Sequence, residues 1–407
     1  MNWNIGILKK WLNLDSTILL QDHPAPSTSW PIIGAVIGAM SVFALTMGLS
    51  YPLLALILEN LGTPKALIGL NAAMTPLGIM VSSPFIPRLA RTNGSWGLAM
   101  LCLFATLLFF ILIGATRQLE IWFVLRFLLG VGINGIFIVS ETWINQLSDT
   151  TTRGRIMGIY ATVMSLGFCV GPFILPLTGF DGWPPFMVGI VCFVTAGLIM
   201  LPLRHRLPNF EKMAHGSVYR FMTLAPTLLL AVLSAAYFDQ IVLSFLPLYA
   251  LYYGFSQATA SFALGILIAG NVFLQFPLGW LADRTSRRTV MLVCTITTLA
   301  GCVLLPLAIR SNWLLWPLLF IWGGAAFGVY TAALAGLGDR YSGAMLLTGS
   351  AAFGLMWGVG GIIGPALAGG VMQLWGPAGL PLILGIPFVL FAFMLLWRRF
   401  IFRTTTE

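Results

Sequence analysis

Apolar residues along this chain come in long unbroken blocks, and polar residues are confined to the short gaps between them. The blocks cover 30–58, 66–88, 96–115, 120–147, 156–178, 184–203, 222–250, 259–281, 290–309, 313–336, 346–373 and 379–397. A helix that crosses a bilayer core needs about 20 apolar residues, so each block predicts one transmembrane helix. Only helices and closed barrels satisfy their backbone in lipid, and blocks this continuous exclude the in–out alternation of barrel strands. The pattern therefore predicts an all-α integral membrane protein with twelve spans.

The longest gap, 204–221 (RHRLPNFEKMAHGSVYRF), is polar and basic and separates a first group of six, 30–203, from a second, 222–397. Residues 1–29 precede them, with Trp3, Ile7, Trp11, Leu14 and Ile18 at helical spacing, as suits a short helix lying on the inner leaflet, a disordered tail being the alternative. Residues 398–407 form a polar tail. The two groups also share their punctuation. A shift of 193 residues places Gly130 on Gly323, Gly135 on Gly328, Gly167 on Gly360 and Gly171-Pro172 on Gly364-Pro365, and sets Pro84 on Pro277 and Arg91 on Arg284. Repeats of this kind, related by an axis along the membrane normal, predict two pseudo-symmetric six-helix bundles.

Composition agrees: of 407 residues 58% are hydrophobic and 8% charged, with a mean hydropathy of +0.94. A net charge of +9 raises the question of a nucleic-acid partner, and its distribution answers it. Lys9, Lys10, Arg88, Arg91, Arg153, Arg155, Arg204, Arg206, Lys212, Arg220, Arg284, Arg287, Arg288, Arg340, Arg398, Arg399 and Arg403 fall in alternate connections, and the others carry only Lys65, Arg117 and Arg310. Lys and Arg collect on the cytoplasmic side. A multi-pass protein of the cell membrane, a bacterial inner membrane, with both termini in the cytoplasm is therefore expected, with no nucleic acid as partner. Cys102, Cys169, Cys192, Cys294 and Cys302 all lie inside apolar blocks and read as packing residues. His23, His205 and His215 form no ligand cluster, so no metal and no cofactor are expected. The chain shows no nucleophile–base pair or phosphate loop, which argues against an enzyme.

The turn between the eighth and ninth blocks, GWLADRTSRRTVM, concentrates Asp283, Arg284, Arg287 and Arg288 in a few residues. Its Gly279-x-Leu-Ala-Asp283-Arg284-x-x-Arg287-Arg288 spacing resembles the signature loop of the major facilitator superfamily, with Ser286 where that loop has Gly. In the fourth block, Arg126-x-x-x-Gly130-x-Gly132 resembles the Arg-x-x-Gln-Gly-x-Gly motif, with Leu129 in place of Gln. In the fifth, Gly167-x-x-x-Gly171-Pro172 resembles the Gly-Pro motif associated with exporters, whose trailing Gly-Gly is Leu175-Pro176 here. The series Arg126-Phe127, Gly130-Val131-Gly132, Glu141 and Arg153-Gly154-Arg155 is similar to the YcaD-like branch, which also keeps an intact signature loop only in the second half. The resemblance implies a transporter and names no cargo.

Three charged residues inside blocks are candidates for mechanism. Arg126 lies about six residues inside the fourth block, where an unpaired arginine costs ~2.5–3.5 kcal/mol on insertion scales. It is expected to face the bundle interior, snorkelling to the interface being the alternative. In proton-coupled members of the superfamily the arginine of this motif is linked to proton transfer. Asp239 sits deep in the seventh block beside Tyr237-Phe238 and Gln240. A carboxyl whose surroundings alternate can load and release a proton, and a contact with Arg126 across the halves is a further expectation. Glu141, some 22 Å along the helix from Arg126 at 1.5 Å per residue, belongs near the cytoplasmic mouth, where Arg88, Arg91 or Arg153 would be its partner.

A cytoplasmic gate is expected around the signature loop. Asp283 would be drawn to the N-terminus of the fifth helix, whose partial positive charge is reinforced by Arg153 and Arg155, while Arg284, Arg287 and Arg288 flank it. Arg287 or Arg288 would pair with Asp339, and Gly279 would leave room for close helix approach. Gly167, Gly171, Pro172, Gly360, Gly364 and Pro365 are candidates for helix packing and bending. Asn134, Asn271 and Gln275 join Arg126 and Asp239 as candidates for substrate or proton coupling, with Asn71, Thr75 and Ser140 as further polar lining. Tyr51, Trp143, Tyr160, Trp280, Trp322, Tyr330 and Trp357 supply aromatic surface. These residues suit a monomeric secondary transporter working by alternating access: proton-coupled efflux of a small lipophilic or weakly charged compound. Proton-coupled uptake of a nutrient is the alternative, and a non-transporting sensor on the same scaffold a more distant one. The partners implied are a small-molecule substrate, protons and the lipid bilayer.

Overall fold

The computed structural model describes residues 29–148, 153–204, 206–208, 218–341 and 343–403. The expected interfacial helix in 1–29 and most of the 204–221 connection lie outside the described residues. The chain folds into helices α1 (Trp30–Asn60), α2 (Lys65–Ser82), α3 (Ile86–Asn93), α4 (Ser95–Ala115), α5 (Leu119–Leu147), α6 (Arg153–Thr178), α7 (Pro184–Met200), α8 (Val218–Leu224), α9 (Pro226–Tyr252), α10 (Gln257–Arg284), α11 (Arg287–Ala308), α12 (Asn312–Arg340), α13 (Gly343–Trp375) and α14 (Gly379–Arg403). Twelve of these are membrane-length. The last two are separated only by the 3-10 turn Gly376–Ala378 and form one apolar stretch, Thr348–Trp397.

Local chemistry sets the boundaries. Prolines stand at the first turns of α1, α7 and α9, where a missing N–H costs nothing. Pro84 breaks the second block into α2 and α3, because proline cannot donate to the preceding turn. The signature segment is mostly helical, contrary to the eight-residue turn expected. Gly279–Arg284 complete α10, Arg287 opens α11, and only Thr285 and Ser286 lie between. The serine standing where the family has glycine accepts the Thr289 N–H on Oγ at 3.1 Å and so caps α11. The last helix also runs past the expected 397, to Arg403.

The two halves pack in the same way. In the first, α1 lies on α6 and α7, α5 on α2 and α4, and α4 on α7. In the second, α9 lies on α13 and α14, α12 on α10 and α11, and α11 on α14. Glycines make these approaches, at matching positions. A Cβ on Gly130 would run into the Thr75 carbonyl of α2, and one on Gly323 into the Leu267 carbonyl of α10. Gly135 faces Cys102 as Gly328 faces Cys294. Gly167 and Gly171 seat α6 on the α1 backbone, while Gly360 and Gly364 seat α13 on α9, where an added Cβ would come within 2.8–2.9 Å of main-chain atoms. The outer helices present apolar surface such as Leu101, Phe104, Val303, Leu307 and Phe393 outward, all at least 60% exposed. The medium they face is lipid, which removes any penalty for that exposure.

Candidate functional site

Two seams join the halves near the end of the bundle formed by the α1–α2 turn, called here the Lys65 end: α2 with α13 and α6 with α10. A lesser contact joins α1 to α9. Gly69 meets the Pro365 carbonyl and Gly369 the Lys65 carbonyl. The Lys65 N–H donates to Gln373 Oε1, and Gln257 Nε2 donates to Asn60 Oδ1, both at 2.8 Å. Phe173 of α6 lies edge-on to Phe262 of α10, with centroids 5.0 Å apart. Deeper contacts, Pro76 against Gly361 and Met80 against Gly358, continue the α2–α13 seam. α5 and α12, the equivalent helices of the two halves, do not pack closely on each other, and toward the opposite, Arg284 end Glu141 of α5 and Leu334 of α12 are exposed. The described contacts between the halves thus shut the Lys65 end and leave the other open.

Arg126 lies seven residues into α5, about 10 Å from the Lys65 end at 1.5 Å per residue, and is 2% exposed. This is the interior position, not snorkelling. Its Nη1 donates to Asn71 Oδ1 at 3.1 Å and its Nε to Thr75 Oγ1 at 3.5 Å. Its guanidinium carbon stands 5.9 Å from the Tyr51 ring centroid. Among the described residues no carboxylate pairs with it, and the Asn71 Nδ2 group is buried without a partner.

Asp239 stands thirteen residues from either end of α9, at mid-depth. It is half-buried and accepts one hydrogen bond on Oδ2, from Gln240 Nε2 at 3.0 Å. The expected Arg126–Asp239 contact is not made. The two differ in depth by about 9 Å at 1.5 Å per residue, and the guanidinium is held back toward α2. Tyr51 lies within electrostatic reach of both.

The amides assigned to coupling have other work. Asn134 is 6% exposed and its Nδ2 donates to Ser82 Oγ and Ser83 Oγ at 2.9 and 3.1 Å, clamping α5 to the end of α2. Asn271 and Gln275 bond each other one turn apart, at 2.7 Å. Two of the aromatics expected to supply aromatic surface also make hydrogen bonds. The Trp143 indole donates to Ser95 Oγ and the Pro208 carbonyl, and the Trp322 indole to the Thr298 carbonyl.

At the open end, Glu141 is exposed and makes no ion pair with a lysine or arginine among the described residues. Arg88 and Arg91, offered as its partners, point to solvent on the α3 surface. Glu141 instead lies within electrostatic reach of Tyr160 on α6 and of Tyr330 on α12 in the other half. Arg287 pairs with Asp339, Nε to Oδ2 at 3.0 Å, as expected. Arg288 donates to the Leu395 carbonyl and so ties α11 to α14 rather than serving a gate. Arg284 stacks on Trp280 at 4.0 Å, Arg155 is exposed, and a Cβ on Gly279 would meet nothing within 4 Å, so no close approach exists there in this conformation. The side chains of Asp283 and Arg153 lie outside the described residues, and so does the gate contact expected of them.

Sequence reasoning missed the closure of the Lys65 end. Gln257 and Gln373 stand at the ends of apolar blocks, where polar residues are ordinary, and the signal that sets them apart is that Gly69 and Gly369 stand near those same ends.

The sequence matches the Major Facilitator Superfamily profile over residues 36–269 and 228–407. It is 27% identical over 355 residues to the uncharacterized MFS-type transporter YfkF of Bacillus subtilis, covering 84% of this chain and 88% of that one. It is also 27% identical over 351 residues to the uncharacterized MFS-type transporter YcaD of Salmonella typhimurium, covering 82% and 89%. Among solved structures it resembles the nucleoside transporter NupG, with a TM-score of 0.74 at 15% identity over 90% of this chain and 98% of that one. A bacterial homologue of the human lysosomal transporter Spinster, in an inward-facing unoccupied conformation, gives a TM-score of 0.72 at 15% identity over 91% and 96%.

Proposed function

Since the chain belongs to the Major Facilitator Superfamily and is a secondary transporter of that fold, we propose that it couples proton movement to efflux of a small lipophilic or weakly charged organic solute. The observation that carries this reading is Asp239: a carboxyl at mid-depth, half-buried, with Gln240 as its hydrogen-bond partner and no ion pair to a lysine or arginine among the described residues. Such a group is equipped to take a proton while the cavity faces one side and lose it when the cavity faces the other. Arg126, sealed behind Tyr51 on the other half, supplies a fixed positive charge near that exchange. On this reading the basic connections lie in the cytoplasm, the Lys65 end faces outward, and the open end receives cargo from the cytoplasm. A solute that competes with the proton at Asp239 is carried out as the proton comes in.

The test is flux in proteoliposomes under an imposed pH gradient. The wild-type protein should move solute against the inward proton gradient. Asp239→Asn should abolish the response to the gradient while leaving solute counterflow measurable. A flux that ignores the gradient in the wild-type protein would sink proton coupling, and flux following protons inward would reverse the direction.

A further inference from the structure

Glu141 has no role in the coupling just described, and its surroundings are those of a binding site. It belongs to a membrane-spanning helix yet is exposed. Its carboxylate has no lysine or arginine partner among the described residues. Within its electrostatic reach in the other half lies Tyr330, half-buried, with its ring edge-on to Trp357 of α13 at 5.2 Å between centroids and 70° between planes. On its own side stands Tyr160, whose hydroxyl is bonded to Ser140 Oγ at 3.3 Å and so held in place. An accessible carboxylate facing aromatic rings offers a cation both a counter-charge and π faces, and it offers an anion neither.

We propose that Glu141, Tyr330 and Trp357 form the entry subsite for a lipophilic organic cation, with one wall from each half of the protein. The idea rests on the transporter reading and narrows its cargo. Glu141 neutralises the ammonium or phosphonium centre, and the Tyr330–Trp357 pair receives the apolar substituents. Because the walls belong to different halves, a cation bound here feels the two bundles move apart or together, which links occupancy to the rocking equilibrium. Arg126 stays out of this subsite: it is buried nearer the Lys65 end.

The experiment is equilibrium binding to the purified full-length protein in nanodiscs, without any gradient, using tetraphenylphosphonium and its anionic counterpart of the same shape, tetraphenylborate. Tetraphenylphosphonium should bind and tetraphenylborate should not compete with it. Glu141→Gln should weaken binding about tenfold, the size of one lost charge interaction near 1.4 kcal/mol, and Glu141→Asp should keep most of it. Trp357→Ala should weaken binding several-fold, and Trp357→Phe, which keeps an aromatic face, should recover part of the loss. No binding of tetraphenylphosphonium, equal binding of tetraphenylborate, or affinity indifferent to Glu141→Gln would each overturn the proposal. Binding that follows these variants in a protein whose flux ignores a pH gradient would keep the subsite and remove only the proton coupling.

Discussion

Replacing Gly69 and Gly369 by alanine tests the seam that shuts the Lys65 end. A Cβ on Gly69 would lie 3.0 Å from the Pro365 carbonyl carbon and 3.2 Å from the Gly369 Cα, with the Pro365 oxygen closer still. A Cβ on Gly369 would lie 3.1 Å from both the Gly69 Cα and the Lys65 carbonyl carbon. All of these are main-chain atoms of packed helices, so no side-chain rotation relieves the overlap. Carbon atoms sit comfortably at about 3.5–4.0 Å, so α2 and α13 must part by on the order of 1 Å. Overpacking of this kind costs ~1–3 kcal/mol. If the Lys65 end is closed only in this conformation, the cost falls on this state alone and shifts the balance toward the opposite-facing state by roughly 5- to 150-fold. Spin labels at Leu61→Cys and Ser256→Cys, exposed positions on opposite halves of that end, report the change by double electron–electron resonance. Four of the five native cysteines are buried and Cys192 is half-buried, which limits background labelling. The longer-distance population should grow in Gly69→Ala, and grow further with Gly369→Ala added. Gly34→Ala, where a Cβ meets nothing within 4 Å, should leave the distribution unchanged. A folded double variant with the wild-type distribution would refute the reasoning and make the seam a permanent hinge.

Two smaller predictions concern charges. Arg126→Met alone leaves Asn71, fully buried, with neither amide atom bonded, and should lower the apparent melting temperature by the equivalent of ~1–3 kcal/mol. Adding Asn71→Leu to Arg126→Met removes the orphaned amide too, so that neither it nor the uncompensated guanidinium remains, and thermal denaturation should recover to or above the wild-type value; a double variant no better than the single would contradict this. The Arg287–Asp339 pair is partly solvated, with Asp339 54% exposed. A double-mutant cycle should therefore give a coupling energy of no more than ~1 kcal/mol, and a larger value would mean a network stronger than this exposure allows.

How much of the site was legible depends on range. Arg126 and Asp239 declared themselves because an ionisable residue inside an apolar block is costly anywhere in a bilayer. That argument needs no neighbours. Partnership does need them, and there the expectations went astray. Asn134 looked the same as a cavity residue and proved to be a clamp on Ser82 and Ser83, since an amide inside an apolar block satisfies either description. Glu141 was expected beside Arg88, Arg91 or Arg153; the first two are exposed elsewhere, the third side chain lies outside the described residues, and tyrosines lie within reach, one of them 189 positions further along the chain.

By itself the amino-acid order determined the number of spans, their grouping by sixes and the family. Those follow from block length, from the polar gap at 204–221 and from glycines repeating at a constant shift, all of which are written along the chain. Only the tertiary structure decided which end of the bundle is shut, that Tyr51 lies within electrostatic reach of both Arg126 and Asp239, and that Glu141 lies within reach of Tyr330 in the other half. The reason is physical. Crossing lipid is a demand each helix meets alone through its own apolar content, whereas a seam or a cavity exists only as a relation between surfaces of helices remote in sequence. Gly69 and Gly369 carry no hint in their own neighbourhoods that each is shaped to the other's backbone.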